Sequence, residues 1–352
     1  MNSMRILAIE TSCDETAVAV VEDGWKVLCN VIASSLNLHQ LTGGIVPEVA
    51  ARAHVESIVP ALEEVLNQMA PGKTRNQQVA MIDQIAVTSE PGLVTSLLVG
   101  TETAKWLAYL WEKPLLKVNH IHGHVAANWL ERDPAIEPIA FPLVCLSVSG
   151  GHNELILMKQ PGEYEIIGQS QDDAAGEAFD KVARILGLGY PGGPVIEAFA
   201  EKFQFSSAAA DNFQFPRAWM NSNASDKWDG TSFDFSFSGL KSEVLREVQK
   251  RGDLEEENRV EIAYAFQEAV FDVLVTKLIG AAEKFNVKEI HIAGGVSANK
   301  RFRSLISEKM KMAGLDIPFR SPKQMVYCTD NAAMIGAAAK TFPVPSSLFL
   351  QS

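Results

Sequence analysis

The apolar positions of this 352-residue chain fall into short runs that alternate at a period of two and longer runs at a helical period. Their order carries the first inference. RILAIETSCDETAVAVVED, from Arg5, reads as strand, polar turn and strand, and FPLVCLSVSGGHNELILMKQ, from Phe141, repeats that plan with Ser and Gly at its bend. Between them the pattern predicts a helix after Pro47 (EVAARAHVESIVPALEEVL), a strand (QIAVTS), a helix after Pro91 and Gly92, a short strand (LLKV) and a stretch dense in histidine. Beyond the second hairpin it predicts helices from Gly176 and Pro194, long helices from Gly239 to Phe285, a strand (EIHIAG), and helices from Ser297 and Asp330. Two hairpins that each open a series of strands and helices imply a duplicated α/β fold. The boundary is expected near Pro138 to Pro142, giving lobes over residues 1–138 and 139–352. A stretch without a period, 204–235, is expected to be a surface insert.

Composition narrows the class. A length near twice ~150 residues agrees with two domains, and 47% apolar with 21% charged residues describes a globular protein. The four cysteines form no C-x-x-C pair, which argues against a disulfide framework or a cysteine-rich zinc site and fits a reducing cytosol. The start of the chain reads as neither a secretory signal nor a transit peptide. VTSLLVGTETAKWLAYLW contains Glu102 and Lys105 and is expected to be a buried helix, not a membrane span. The expectation is a cytoplasmic protein with no membrane contact. A formal charge of −12 excludes a surface that grips nucleic acid everywhere. One stretch, Lys300 to Lys323, concentrates seven cations against Glu308 and Asp316, and reads either as a phosphate-facing patch or as a solvated helix face.

The histidine stretch, VNHIHGHVAANWL from Val118, holds three of the seven histidines. If Asn119 caps a helix continuing through Leu130, His120 and His124 stand at i and i+4, roughly 5–6 Å apart between Cβ atoms. That spacing suits two nitrogens on one metal ion. A peptidase of the H-E-x-x-H type needs a glutamate as general base where this chain has Ile121, so the peptidase reading loses its base. An acidic third ligand must come from elsewhere; Asp330, in YCTDNAAMIGAAAK, is the candidate, and it equally suits an N-cap.

Two glycine turns follow apolar strands: Ser149-Gly150-Gly151-His152, and Gly294-Gly295-Val296-Ser297-Ala298-Asn299. Such turns expose backbone N–H groups to a phosphate. In duplicated lobes they point to the actin-like, sugar-kinase-like class with a central nucleotide cleft. Pro191-Gly192-Gly193-Pro194 adds a third close-approach backbone, with Asp180 and Glu197 on flanking helices. The first hairpin bends through Glu10 to Thr16 without the Asp-x-Gly of a phosphotransferase, which argues against γ-phosphate transfer.

Taken in order, IETSCDETA, GGIVPEVAARAH, PGLVTSLLVG, NHIHGH, SVSGGH, DDAAGEAFDKVARILGLGYPGGP, FSFSGLK, GGVSAN and TDNAAM show that the chain resembles the bacterial TsaD proteins, once called Gcp or O-sialoglycoprotein endopeptidase. Those are tRNA threonylcarbamoyladenosine transferases of the actin-like superfamily. The resemblance implies one divalent metal ion per subunit, iron (Fe2+) or zinc (Zn2+), on His120, His124 and Asp330. It implies a nucleotide-binding role for Ser147, Val148, Ser149, Gly150, Gly151, Asp180, Gly193, Glu197 and Asn299. It further implies transfer of the threonylcarbamoyl group from threonylcarbamoyl-AMP to N6 of adenosine 37 in tRNAs reading ANN codons, with TsaB and TsaE as partners. Glu10 and Asp14 are candidates to orient the amine or a water. His122, Asn153, Glu90 and Thr95 depart from the family pattern. Two other readings stay open: a metallopeptidase, and a nucleotide-gated binding module without chemistry.

Overall fold

The computed structural model describes residues 3–40, 44–203, 213–220 and 227–342. The chain divides into two units, Met1–Ile139 with Ser321–Ser352, and Ala140–Arg320.

In the first unit, β2 (Glu15–Glu22) runs antiparallel to both β1 (Arg5–Glu10) and β3 (Lys26–Ser34). A short α1 (Leu36–Gln40), the long α2 (Pro47–Met69) and α3 (Arg75–Val79) lead to β4 (Gln84–Glu90), which pairs parallel with β1. α4 (Val94–Trp111) returns the chain to β5 (Leu115–Asn119), and α5 (His120–Ala126) follows without a break. The sheet order is β3-β2-β1-β4-β5. Leu7, Ile9, Val18 and Val20 pack against Ile58, Leu62, Val65 and Leu66 of α2 on one face.

The second unit repeats the design. β6 (Leu143–Val148), β7 (Asn153–Gln160) and β8 (Glu163–Gln169) form the antiparallel half. After α6 (Ala175–Ile185), α7 (Gly192–Ala200), α8 (Ser238–Arg251) and α9 (Glu256–Lys284), β9 (Glu289–Ala293) pairs parallel with β6. α10 (Lys300–Met312) leads to β10 (Phe319–Arg320), and the sheet order β10-β9-β6-β7-β8 mirrors the first. Its core joins Val144, Leu146 and Val148 to Phe179, Phe266, Phe271 and Phe302. Burying each such side chain contributes about 1.5–3 kcal/mol.

The last helix, α11 (Ala332–Thr341), packs on β1, β2 and α5 of the first unit. The expectation that residues 139–352 form one lobe is therefore corrected at its C-terminal end. The cause is a run of small side chains, AAMIGAAAK: at Gly336 an added Cβ would lie 2.7 Å from Val21 Cγ2, so the helix lies close upon the sheet. Three further expectations change. β3 and β8 carry no clean alternation and escape the pattern; β8 is largely exposed. The stretch 204–235 is not simply a surface excursion, because Phe215, Trp219, Phe233 and Phe235 are buried in the second core; 204–212 and 221–226 lie outside the described residues. And α4 buries only Ser96, Gly100 and Ala104, while Val94, Leu98, Trp106, Tyr109 and Leu110 are exposed. Among the described residues, no helix is long and apolar enough to cross a membrane.

Candidate active site

Asn119 closes β5 and caps α5: its side chain accepts from the N–H groups of Ile121 (2.9 Å) and His122 (3.3 Å). The α-helix ends at Ala126 and tightens to a 3-10 turn over Ala127–Trp129. The cap fixes the phase of the helix, so His120 and His124 face one side, with ring centroids 4.6 Å apart. Gly123, between them, lets α5 approach α11, since a Cβ there would meet Ile335 Cδ1 at 2.7 Å. That approach brings in the residue just ahead of α11. The cap of α11 belongs to Asn331, which accepts from Met334 N at 3.0 Å, and not to Asp330. Asp330 Oδ1 instead lies 3.3 Å from His124 Nε2 and 3.5 Å from His120 Nε2.

One ligand atom from each of His120, His124 and Asp330 lies within 4.8 Å of the others, in a mostly buried place. Three observations test whether they suit a metal. Both ring nitrogens of His124 are buried without a hydrogen-bond partner, although Nε2 is close to Asp330. Buried polar atoms are rarely left so, and a cation between them satisfies the geometry. On His120, Glu10 Oε2 lies 3.2 Å from Nδ1. A carboxylate there accepts the Nδ1 proton, which leaves Nε2 facing Asp330, where a metal ion would take the place of a second proton. Burial works against charge on His120, yet the carboxylates of Asp330 and Glu10 push its pKa up to about 9. The arrangement attracts positive charge.

Glu10 is fully buried behind His120. Its oxygens also accept from Ser12 N and Thr88 Oγ1, each at 2.5 Å. Its carboxylate is thus engaged by Ser12, Thr88 and His120. Asp14 is half-buried on the turn after β1. Burial raises its pKa, as does the charge of Asp330.

In the second unit, Ser147 and Val148 are buried in β6, so any ligand there meets their backbone at most. At Gly150, Gly151 and Gly193 an added Cβ would have nothing within 4 Å, and none carries a positive φ. Neither internal packing nor backbone conformation requires glycine at these three. Gly192 differs, because a Cβ there would collide with the backbone of Phe179 and Asp180. Asp180 Oδ1 accepts from Gly192 N at 2.6 Å and holds that turn. Glu197 Oε1 accepts from Lys300 N at 2.8 Å; Asn299 caps α10 by accepting from Phe302 N and donates to Gln267. These three side chains fix the ends of α7 and α10.

The departures from the family pattern have local explanations in part. Asn153 accepts from Ala175 N at the start of α6 (3.2 Å), and His122 stacks on Phe342 with centroids 4.4 Å apart. Glu90 is exposed at the end of β4 beside Asn119, in the first unit. Nothing explains Thr95, which is exposed in the first turn of α4. The cationic stretch is largely spoken for: Lys300, Arg301, Lys309, Arg320 and Lys323 pair with Glu201, Glu268, Asp272, Glu289 and Glu137. It does not form a free phosphate-facing stripe. Sequence reasoning also missed Ser12 and Thr88, whose only signal was a position beside motif residues.

Two mixed sheets built to one plan define the actin-like, sugar-kinase-like class of α/β proteins. Solved structures share that fold: HypF of T. kodakarensis aligns over 97% of this chain and 49% of its own, with a TM-score of 0.60 at 13% identity. Component A of (R)-2-hydroxyglutaryl-CoA dehydratase from Acidaminococcus fermentans aligns over 96% and 98%, with a TM-score of 0.52 at 14% identity. The family described as TsaD: tRNA N6-adenosine threonylcarbamoyltransferase matches residues 26–337. Proteins of that name from Staphylococcus saprophyticus (46% identical over 334 residues, covering 95% of this chain and 90% of theirs) and Thermomicrobium roseum (47% over 360 residues, 96% and 91%) are similar almost end to end. The chain belongs to the TsaD family of tRNA N6-adenosine threonylcarbamoyltransferases.

Proposed function

We propose that the chain transfers the threonylcarbamoyl group from threonylcarbamoyl-AMP to N6 of adenosine 37 in tRNAs reading ANN codons, using a divalent metal, Fe2+ or Zn2+, held by His120, His124 and Asp330. The observation that carries the metal centre is the meeting of those three side chains with His124's nitrogens unpartnered. Held by two nitrogens and one carboxylate, a metal there would supply Lewis acidity toward a carbonyl oxygen. N6 attacks the carbamoyl carbon and a C–N bond forms. The bond from that carbon to the phosphate oxygen breaks, and AMP leaves with the electron pair. The proton lost from N6 passes to Asp14, on the turn that borders His120 through Ser12. Glu10 keeps His120 in the tautomer a ligand needs. The backbone turns at Ser149-Gly150-Gly151 and Gly192-Gly193 receive the AMP portion; Asp180 holds the second of these turns, and Glu197 and Asn299 hold the start of α10.

A peptidase reading has no glutamate beside its first histidine. A binding module without chemistry has no use for the metal ligands. Partner proteins TsaB and TsaE belong to the same reading. The exposed apolar side chains of α2 (Val55, Val59) and of its neighbour α4 (Leu98, Trp106, Tyr109) offer a protein partner a docking face, and we assign it to TsaB. A cytoplasmic location goes with a tRNA acceptor. A filter assay with carbamoyl-labelled threonylcarbamoyl-AMP and unmodified tRNA, with and without TsaB and TsaE, tests the whole. Label retained on tRNA supports it, and no label under any partner condition overturns it.

A further inference from the structure

The turn between β1 and β2 carries Ser12, Cys13 and Asp14 beside the candidate metal ligands, and its three consecutive carbonyls are held by three different elements. Ser12 O accepts from Leu93 N at 2.8 Å, ahead of α4. Asp14 O accepts from Ser35 N (3.1 Å) and Ser35 Oγ (2.7 Å), ahead of α1. Between them, Cys13 O lies 3.0 Å from Nε2 of His54 on α2. The other two clamps are made by segments that border the turn's own neighbours. His54 alone reaches it with a side chain from inside a long helix.

His54 is fully buried, and its second nitrogen lies 2.8 Å from Thr16 Oγ1 on β2. A carbonyl only accepts, so Nε2 carries the proton and donates to Cys13 O, while Nδ1 is bare and accepts from the Thr16 hydroxyl. Both ring nitrogens are used and one tautomer is selected. Burial pushes the His54 pKa down, so the ring stays neutral. The turn that His54 fixes touches the centre: Ser12 Oγ is 3.2 Å from His120 Nδ1, and Ser12 N donates to Glu10, the carboxylate behind His120.

From this geometry we infer that His54 is a positioning residue for the transfer reaction, setting the Ser12–Asp14 turn, and with it the Asp14 carboxylate, through its bond to Cys13 O. The inference rests on the transferase reading above. It assigns His54 no contact with substrate or metal. Removing its bonds therefore lowers turnover without emptying the metal site.

Cys13 supplies a readout independent of turnover, since it is partly exposed while Cys29, Cys145 and Cys328 are buried, and burial and neighbouring carboxylates, which push its thiol pKa up, keep its wild-type alkylation slow. The experiment compares wild type, His54→Phe, His54→Gln and Thr16→Val in the full chain, with TsaB and TsaE present for the activity arm. It measures the iodoacetamide alkylation rate of Cys13 located by mass spectrometry, kcat and KM for tRNA, bound metal and Tm. His54→Phe, which keeps a ring and loses both nitrogens, is expected to alkylate severalfold faster at Cys13. Its kcat is expected to fall about 10–100-fold, the range for partners that orient an active group, with bound metal unchanged. KM for tRNA stays within about threefold. His54→Gln, whose amide N–H still points toward Cys13 O, recovers part of both. Should His54→Phe not fold, Thr16→Val carries the same test with smaller effects, because it removes only the hydroxyl that orders the ring.

A folded His54→Phe with wild-type alkylation and kcat overturns the inference, and so does a kcat loss matched by loss of metal. If wild type itself transfers no label, the transferase reading fails, and the alkylation rates still decide whether His54 holds the turn.

Discussion

Glu10 Oε2 and His120 Nδ1 lie 3.2 Å apart in a buried pocket of the first unit, joining the end of β1 to the start of α5. The contact turns the other ring nitrogen, Nε2, toward Asp330. Glu10→Gln keeps the shape and removes the charge. The expected result is a loss of about 10–100-fold in metal affinity, as for other partners of metal-bound histidines. Equilibrium dialysis with zinc measures it; an unchanged affinity would show that Glu10 serves only the turn at Ser12.

The cap at Asn119 sets where α5 begins and therefore which way both histidines point. Asn119→Ala should destabilise the first unit by about 1 kcal/mol, the usual cost of losing an N-cap. It should also weaken metal binding, because the ligand pair loses its phase. Thermal melting with and without zinc separates the effects: the metal-induced rise in Tm shrinks in the variant.

The glycines of the second unit divide into two groups that substitution distinguishes. Gly150→Ala meets nothing within 4 Å and should leave Tm within about 1–2 °C of wild type. It should weaken AMP binding, measured by calorimetry, because a methyl group fills the space a phosphate approaches. Gly192→Ala collides with the backbone at Asp180 and should lower Tm outright. Equal behaviour of the two variants would remove the argument for a ligand at the first.

At the edge of the second unit, burial alone would raise the Glu289 carboxyl. Hydrogen bonds from His291, Arg320 and Ala140 N–H outweigh that and hold its pKa at about 2, against an ordinary 4.5. A depressed carboxyl stabilises the fold above its unfolded value and loses that contribution as pH falls toward its folded value. Glu289→Gln should therefore cost about 3 kcal/mol at neutral pH, as when one member of a buried charged network is removed. Urea unfolding at several pH values should show the difference narrowing below 4.5 and vanishing near 2.

Much of this was legible before any coordinates. The two hairpins predicted the duplication because a strand buried on one or both faces leaves a dense apolar run, as in β1 and β6. The i, i+4 pair of histidines followed from Asn119, a local cap. What escaped depended on contacts distant in sequence. β8 is largely exposed, with only Ile167 and Gly168 turned to the core, and has no clean alternation to read. α4 carries a mostly apolar run that suggests a buried helix, but a run cannot say which face meets the protein, and most of its large side chains point out. The cationic stretch read either way because its carboxylate partners, Glu268, Asp272 and Glu289, come from other elements. Asp330 was equally readable as a cap; only the packing of α11 on α5 through Gly123 decided the matter.

The most direct measurement of the central claim is bound metal and labelled-carbamoyl transfer, side by side, in wild type, His124→Ala and Asp330→Ala, with circular dichroism as a check on folding. The account predicts close to one divalent ion per chain and label on tRNA for wild type, with ion and label lost together in both folded variants. Transfer that persists in a folded variant without bound metal would contradict it.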